Sequence, residues 1–400
     1  MAPVPLPLPW SRRLAQEATS RRAHHRDRTI AAAQGVDFCS NDYLGLRRDP
    51  RLAQAALAAA EAHGSGAGGA RLLRGTSPVH EALEAALAEW KGAEACLLFN
   101  TGFQCNTTLI PALAGDGDAV FSDELNHASL VDGCRLARAR GAEVRVFRHL
   151  DLEDLEAQLH DRRASAPKGL ALVATDAVFS MDGDAADLPA LLEICERFDA
   201  LLLVDEAHAT GLLGATGAGL AEAMGLKGRV PLLMGTLGKA LGSFGAFVAC
   251  SAELRSHLVN TCRGFIFSTA LPPPVAAAAL EGIRIARAEP RRRRSSLGYA
   301  QSVRSALGLA EAASAIVPVL VGSNETALRL AKELQGRGLD VRAVRPPTVP
   351  EGRARLRITT GAHLQAAQVE TLVTALRDLL PSIPVLSESP IALERPEVPR

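Results

Sequence analysis

Between residues 96 and 249 the chain repeats one pattern. A short run of apolar residues ends in a turn, and a longer stretch follows with apolar positions every three or four residues. The runs are Cys96-Leu-Leu-Phe99, Ala119-Val-Phe121, Val144-Arg-Val-Phe147, Leu170-Ala-Leu-Val-Ala174, Ala200-Leu-Leu-Leu-Val204, Leu232-Leu-Met234 and Gly245-Ala-Phe-Val-Ala249. Runs that are apolar nearly throughout suit strands buried on both faces. Seven of them alternating with helices predict an α/β fold with a large, mostly parallel sheet.

Around this block the pattern changes. The first ten residues are Pro-rich and read as extended, and residues 12–28 read as a basic helix. That basic face can meet an anionic substrate or simply face solvent. A short strand is expected at 36–40, and helices at 50–63 and 77–91, with an irregular Gly-rich loop at 64–69 between them. Residues 272–304 read as a long, interrupted helical connection whose Arg291-Arg-Arg-Arg294 run is a solvated face. Strands at 316–321, 341–344 and 355–358, with helices near 325–338 and 365–380, predict a smaller α+β unit. The expected division is 1–45 (basic helix and short strand), 46–285 (large domain), 286–382 (small domain) and 383–400 (disordered tail).

Composition narrows the function classes. Lys plus Arg equals Asp plus Glu at 44 each, so no general charge favours nucleic acid or a membrane surface. Aromatics are 4%, too few for base-stacking platforms. The seven cysteines include no C-x-x-C pair and fit reduced thiols in a cytoplasmic protein. No metal site is expected. No apolar stretch is long enough to span a bilayer.

The unusual residues fall just after the strand-like runs, where ligands gather in open α/β sheets. Leu201-Leu-Leu-Val204 ends in Asp205-Glu-Ala-His208, and Leu232-Leu-Met234 leads into Gly-Thr-Leu-Gly-Lys239. A strand-end acid, a nearby His and a Gly-flanked Lys suggest a lysine that forms an imine with pyridoxal phosphate (PLP), the acid holding the pyridine nitrogen protonated. Asn100-Thr-Gly-Phe-Gln-Cys-Asn106 opens a helix and suits a phosphate, or a plain helix cap. Thr236 can bind the same phosphate or serve as a cap. His127 and His208, taken singly, read equally as structural histidines.

Together with FCSNDYLGL (38–46), GSGAGGARLLRG (64–75) with His80 after it, NHASLVDG, DAVFSMDGD, GTLGKALG, FSTALPP and RPPTVPEGRARLRIT, these segments give a resemblance. The chain resembles the α-oxoamine synthases over about residues 10 to 380. These PLP enzymes of the aminotransferase-like fold (fold type I) join an amino acid to an acyl thioester and release CO2. The resemblance implies that Lys239 forms the imine and moves the α-proton, Asp205 pairs with the pyridine nitrogen, and His127 stacks on the ring. It places His208 and Ser180 near the phenolic oxygen, and Gly102, Phe103 and Thr236 on the phosphate. Thr269 would reach the phosphate of the other subunit of a homodimer. Arg357 would clamp the amino-acid carboxylate, with Asn41 and His127 beside it, and Thr348 and Arg26 would contact the acyl substrate. Arg345-Pro-Pro-Thr-Val-Pro350 and the Gly-rich loop followed by Ser77-Pro-Val-His80 favour L-alanine and a pimeloyl thioester, carried on CoA or acyl carrier protein. The sequence departs from the family pattern before Phe38, where the chain is short, and after Arg357, where His363 comes one residue early. Rival readings are a sister enzyme using glycine with acetyl-CoA or serine with a long acyl-CoA, and a non-catalytic paralogue. The presence of Lys239 argues against the last.

Overall fold

The apolar runs become the strands of a sheet whose alternate residues feed two separate cores. The computed structural model describes residue 4 and residues 6–380, so the tail expected at 383–400 lies outside it. In chain order the strands are β1 Val36–Asp37, β2 Ala95–Phe99, β3 Ala119–Asp123, β4 Glu143–Phe147, β5 Ala171–Asp176, β6 Ala200–Asp205, β7 Leu232–Thr236, β8 Ala246–Cys250, β9 Ile316–Gly322, β10 Leu339–Asp340, β11 Arg342–Val344 and β12 Ala354–Thr359. The chain divides into two compact units. The larger is Ser40–Ile316 with Thr359–Gln365; the smaller takes the described residues up to Cys39, Val317–Ile358 and the segment from Ala366.

The larger unit holds the seven-stranded sheet, in the order β2-β8-β7-β6-β5-β3-β4. Only β8 runs against its neighbours β2 and β7. Successive side chains of a strand point to opposite faces. Thus Cys96, Leu98, Phe121, Val173, Val204 and Phe247 join one core with the helices Pro78–Lys91, Leu188–Arg197 and Pro273–Ala288. Leu97, Phe99, Val120, Leu203, Met234 and Val248 join a second core with Gly102–Leu113 and Ala128–Arg138. Helices on both faces bury the strands, except the edge strand β4, where Val146 is exposed, which is why most of the runs read as apolar rather than alternating.

In the smaller unit β1 pairs with β10 in parallel, and β11-β12-β9 form a second sheet. The helix Leu8–Ala23 buries none of its residues. It begins inside the stretch expected to be extended, because Pro9 falls in the first turn, where a missing N–H costs nothing.

The Arg291–294 run also differs from expectation. In the helix Pro290–Leu307, Arg293 is buried and donates to the Ala215 and Ala286 carbonyls. Arg292 bonds Glu289 at 2.8 Å, Asp49 at 2.9 Å and the Leu44 carbonyl at 2.9 Å. Arg51 bonds both acids as well. Half of the run is therefore structural, tying the start of the helix Pro50–His63 to that of Pro290–Leu307.

This cluster makes stability acid-sensitive. Hydrogen bonds from Arg51 hold the Asp49 carboxyl down at about 2, and those from Arg292 hold Glu289 at about 2. Both are below their unfolded values, so their stabilisation is complete above ordinary carboxylate pKa values and is lost as pH falls through about 2. Solvent screening limits the contribution to about 1 kcal/mol. Urea unfolding of wild type and Arg292→Leu should differ by roughly that amount at pH 7 and converge as pH drops from 4.5 toward 2.5. A constant gap would show that Arg292 acts by packing alone.

Candidate active site

The carboxyl ends of β3, β5, β6 and β7 and the start of the helix Gly102–Leu113 converge on one cavity of about 180 Å³. Its lining includes Gly102, Phe103, His127, Asp205, His208, Thr236 and Lys239, all expected from the sequence. It also includes Ser129 and Asp176, which were not expected. Ser180 and Thr269 do not line it. Ser180 is half-buried in a hairpin beyond β5, and Thr269 is exposed, its carbonyl accepting from Asn100 at 2.7 Å. Arg26, Thr348 and Arg357 belong to the smaller unit. There Arg26 pairs with Glu351, Thr348 is exposed, and Arg357 is buried on β12 opposite Arg342 of β11.

Lys239 sits in the tight loop between the antiparallel strands β7 and β8, closed by Leu237 N–H to the Gly245 carbonyl at 2.9 Å. Gly242 has φ +67°, and a Cβ there would lie 2.6 Å from the Leu46 backbone. That accounts for a glycine soon after the lysine. The Lys239 amine lies 2.9 Å from His208 Nε2, and His208 Nδ1 lies 2.7 Å from the Tyr43 hydroxyl. Tyr43 donates to Asn41 Oδ1 at 3.1 Å. A phenol has one proton, so His208 Nδ1–H must donate to Tyr43, and Nε2 is left to accept from Lys239. The chain Asn41–Tyr43–His208–Lys239 therefore orders its protons in one direction. Tyr43 was legible only as part of the 38–46 segment, without a role.

Asp205 ends β6 and is 3% exposed. Its oxygens accept from Asn106 Nδ2 at 2.7 Å and from the Ala207 N–H at 2.8 Å. Both donors are neutral, so the buried charge favours a cation beside it. Asp176 is its register partner on β5 and shares its face. Burial, then the nearby Asp205, push the Asp176 carboxyl well above the ordinary range. It accepts the His127 N–H at 2.7 Å. His127 Nδ1 accepts from the Ser129 N–H at 3.2 Å and caps the helix Ala128–Arg138. Burial holds this imidazole below its usual pKa, with Asp205 opposing and Lys239 assisting. His127 is therefore a neutral ring with Nδ1 as acceptor.

Behind this turn Lys91 donates to Glu206 at 2.5 Å, to Thr210 at 2.8 Å and to the Ala218 carbonyl. Both charged side chains are within 1% of full burial. The pair braces the segment that carries Asp205 and His208.

The residues fit a phosphorylated pyridine. Thr236 Oγ1 is buried without a partner. A Cβ at Gly102 would lie 2.9 Å from Met234 Cε and Thr236 Cγ2, so glycine keeps this helix start open. The first-turn N–H groups of a helix have no intrahelical acceptor, which suits a phosphate. Asp205 suits a ring cation, and neutral His127 suits a ring face.

Residues 33–376 match the aminotransferase class I and II family, and the chain belongs to it. Its cofactor is PLP. The 8-amino-7-oxononanoate synthase of Anaeromyxobacter dehalogenans (strain 2CP-1) is 51% identical over 354 residues, 87% of each chain. That of Geobacter sulfurreducens is 46% identical over 366 residues, covering 87% of this chain and 92% of its own. Among solved structures, a serine palmitoyltransferase from Sphingomonas wittichii superposes with a TM-score of 0.86 at 31% identity, covering 95% of this chain and 100% of its own.

The Lys91–Glu206 pair gives a stability prediction. Breaking a buried pair on one side strands a charge and costs about 3–5 kcal/mol. Lys91→Ala should lower the unfolding free energy by that amount in urea titration. A loss below about 1 kcal/mol would mean that Glu206 is satisfied without Lys91.

Proposed function

We propose that the protein joins L-alanine to a pimeloyl thioester, on acyl carrier protein or CoA, giving 8-amino-7-oxononanoate, CO2 and the free carrier, a step in biotin synthesis. The observation that carries this reading is the pairing of Lys239 with His208 above a buried Asp205, in a chain 51% identical to a synthase of that name.

Bound in the cavity, PLP supplies a sink for the electrons released at the amino acid's α-carbon. The residues divide the remaining work. Lys239 would hold the cofactor, and its amine, when free, would take the proton from the amino acid's α-carbon and later return one. His208 accepts from Lys239 and steers that amine, its own tautomer fixed by Tyr43 and Asn41. Asp205 keeps the ring nitrogen protonated, while neutral Asp176 adds no second charge beside it. Neutral His127 covers the ring without repelling it. Gly102, Phe103 and Thr236 hold the phosphate. Arg357 holds the substrate carboxylate as a two-pronged donor, and Asn41, Thr348 and Arg26 complete the substrate contacts. Ser180 supports the phenolic oxygen. The protein works as a cytoplasmic homodimer in which exposed Thr269 serves the other subunit's phosphate.

The second reading is a sister enzyme that takes serine and a long acyl thioester, favoured by the TM-score of 0.86 to serine palmitoyltransferase. A panel of alanine, glycine and serine, each with pimeloyl, acetyl and palmitoyl thioesters and scored by release of the free carrier thiol, separates the two. Alanine with pimeloyl should dominate by at least tenfold; serine with palmitoyl doing so would replace the proposal. Lys239→Ala should lose visible cofactor absorbance and at least 10²-fold in turnover, the scale of a positioned base. Full turnover by that variant would refute the role of Lys239.

A further inference from the structure

One half-buried imidazole in the larger unit, that of His149, is not used by the chemistry above. His149 follows β4, and its ring stands edge-on to Phe179 with centroids 4.4 Å apart. Its Nδ1 lies 2.9 Å from Asp123 Oδ1, and its Nε2 lies 2.7 Å from Asp184 Oδ2. An ionised carboxylate only accepts, so both ring nitrogens carry protons. Burial opposes that charge, but the bonds to Asp123 and Asp184 outweigh it and raise the imidazole pKa to about 10. The other charged groups nearby are Glu124, which accepts the His149 N–H at 3.0 Å, and Arg148, which pairs with Asp151 and Asp154.

The two acids stand on different segments. Asp123 ends β3 and opens the turn to His127; it also accepts the N–H groups of Leu125 at 2.8 Å and Leu150 at 2.9 Å. Leu150 has φ +55°, a conformation that a non-glycine residue adopts at a cost and that this bond helps to hold. Asp184 closes the hairpin beyond β5, where its carbonyl accepts the Phe179 N–H at 2.9 Å and Val178 bridges Ala185. Ser180 sits in that hairpin. Its root, Ala177, donates to the Asp205 carbonyl at 2.8 Å.

We propose that His149, as an imidazolium, is a positioning residue that fastens the hairpin carrying Ser180 to the turn carrying His127. It thereby sets the spacing of His127, which lines the cavity, and the hairpin that carries Ser180. The inference rests on the reading of His127 and Ser180 as PLP contacts. His149 touches neither cofactor nor substrate; it acts through Asp123 and Asp184.

Nitrogen-15 NMR of the histidine rings, in the cofactor-free and PLP-loaded protein, tests the clamp directly. The His149 ring should stay doubly protonated through pH 9 in wild type and lose at least one pH unit of that range in Asp184→Asn. Asp184 is partly exposed, so this variant disturbs the fold less than His149→Gln would. Asp184→Asn should also weaken PLP binding at least fivefold and displace the pH midpoint of the cofactor's visible absorption. Its cofactor-free melting temperature should change little, unlike that of a purely structural variant. A His149 that titrates near its ordinary pKa overturns the proposal. So does an Asp184→Asn protein whose PLP affinity and spectrum match wild type. A wild type that fails to bind PLP would sink the cofactor reading together with this inference, a result distinct from either.

Discussion

The buried carboxylate of Asp205 is the constraint around which the rest of the larger unit is arranged. It ends a central strand, 3% exposed, with one neutral donor on each oxygen. A charge so placed is tolerated only where its bonds are fixed and a cation is welcome. Both donors come from rigid surroundings. Ala207 lies in the turn braced from behind by Lys91 and Glu206, and Asn106 projects from the second turn of the helix Gly102–Leu113. The same helix start offers its free N–H groups at the other end of the cavity. One helix thus serves the acid through a side chain and the phosphate through its backbone.

A single negative charge orients a cofactor only if its neighbours do not compete. Asp176 lies beside Asp205 in register, and burial with that neighbour pushes its carboxyl toward the neutral form. His127 lies within reach of both but is held neutral, with Nδ1 occupied by a backbone donor. His208 receives the Lys239 amine because Tyr43 and Asn41 fix the opposite nitrogen as donor. Nearby groups are thus set by burial or hydrogen bonding to be neutral or acceptors. That arrangement suits the proposed roles, in which Asp205 would hold a ring proton and Lys239 would move one.

Much of this was legible in the sequence because strand ends are. Seven nearly continuous apolar runs located the sheet, and the residues just after them located Gly102, His127, Asp205, His208, Thr236 and Lys239, which the fold brings to one cavity. Asn106, Ser129, Asp176 and Tyr43 were not assigned roles. Their meaning depends on register and on neighbours 23 to 165 positions away, which no local pattern records. Arg292 and Arg293 were misread for a related reason. Charge in a run suggests solvent, yet a helix turns every third or fourth residue to one face, and here two adjacent positions of the run meet neighbours, where Asp49 and the Ala215 carbonyl wait. The start of the first helix was missed because prolines suggest extension everywhere except in a first turn.

The division of the chain also bears on how one scaffold serves differently named enzymes. The groups proposed to move a proton and hold the cofactor all lie in the larger unit. Arg357, Thr348 and Arg26, proposed for recognition of substrate, all lie in the smaller one. Chemistry at the α-carbon is the same for alanine, serine or glycine, so the first set has little reason to differ between them. Hence a serine palmitoyltransferase can share 95% of this chain's length at a TM-score of 0.86 with only 31% identity. Overall shape therefore discriminates poorly among acyl and amino-acid substrates. Discrimination has to come from side chains that meet the parts of the substrate that do not react. Were Arg26 to meet the acyl chain as proposed, its pairing with Glu351 would leave it to act there as a hydrogen-bond donor rather than as net positive charge. Such a contact would select by the placement of an acceptor on the acyl chain, not by that chain's overall charge.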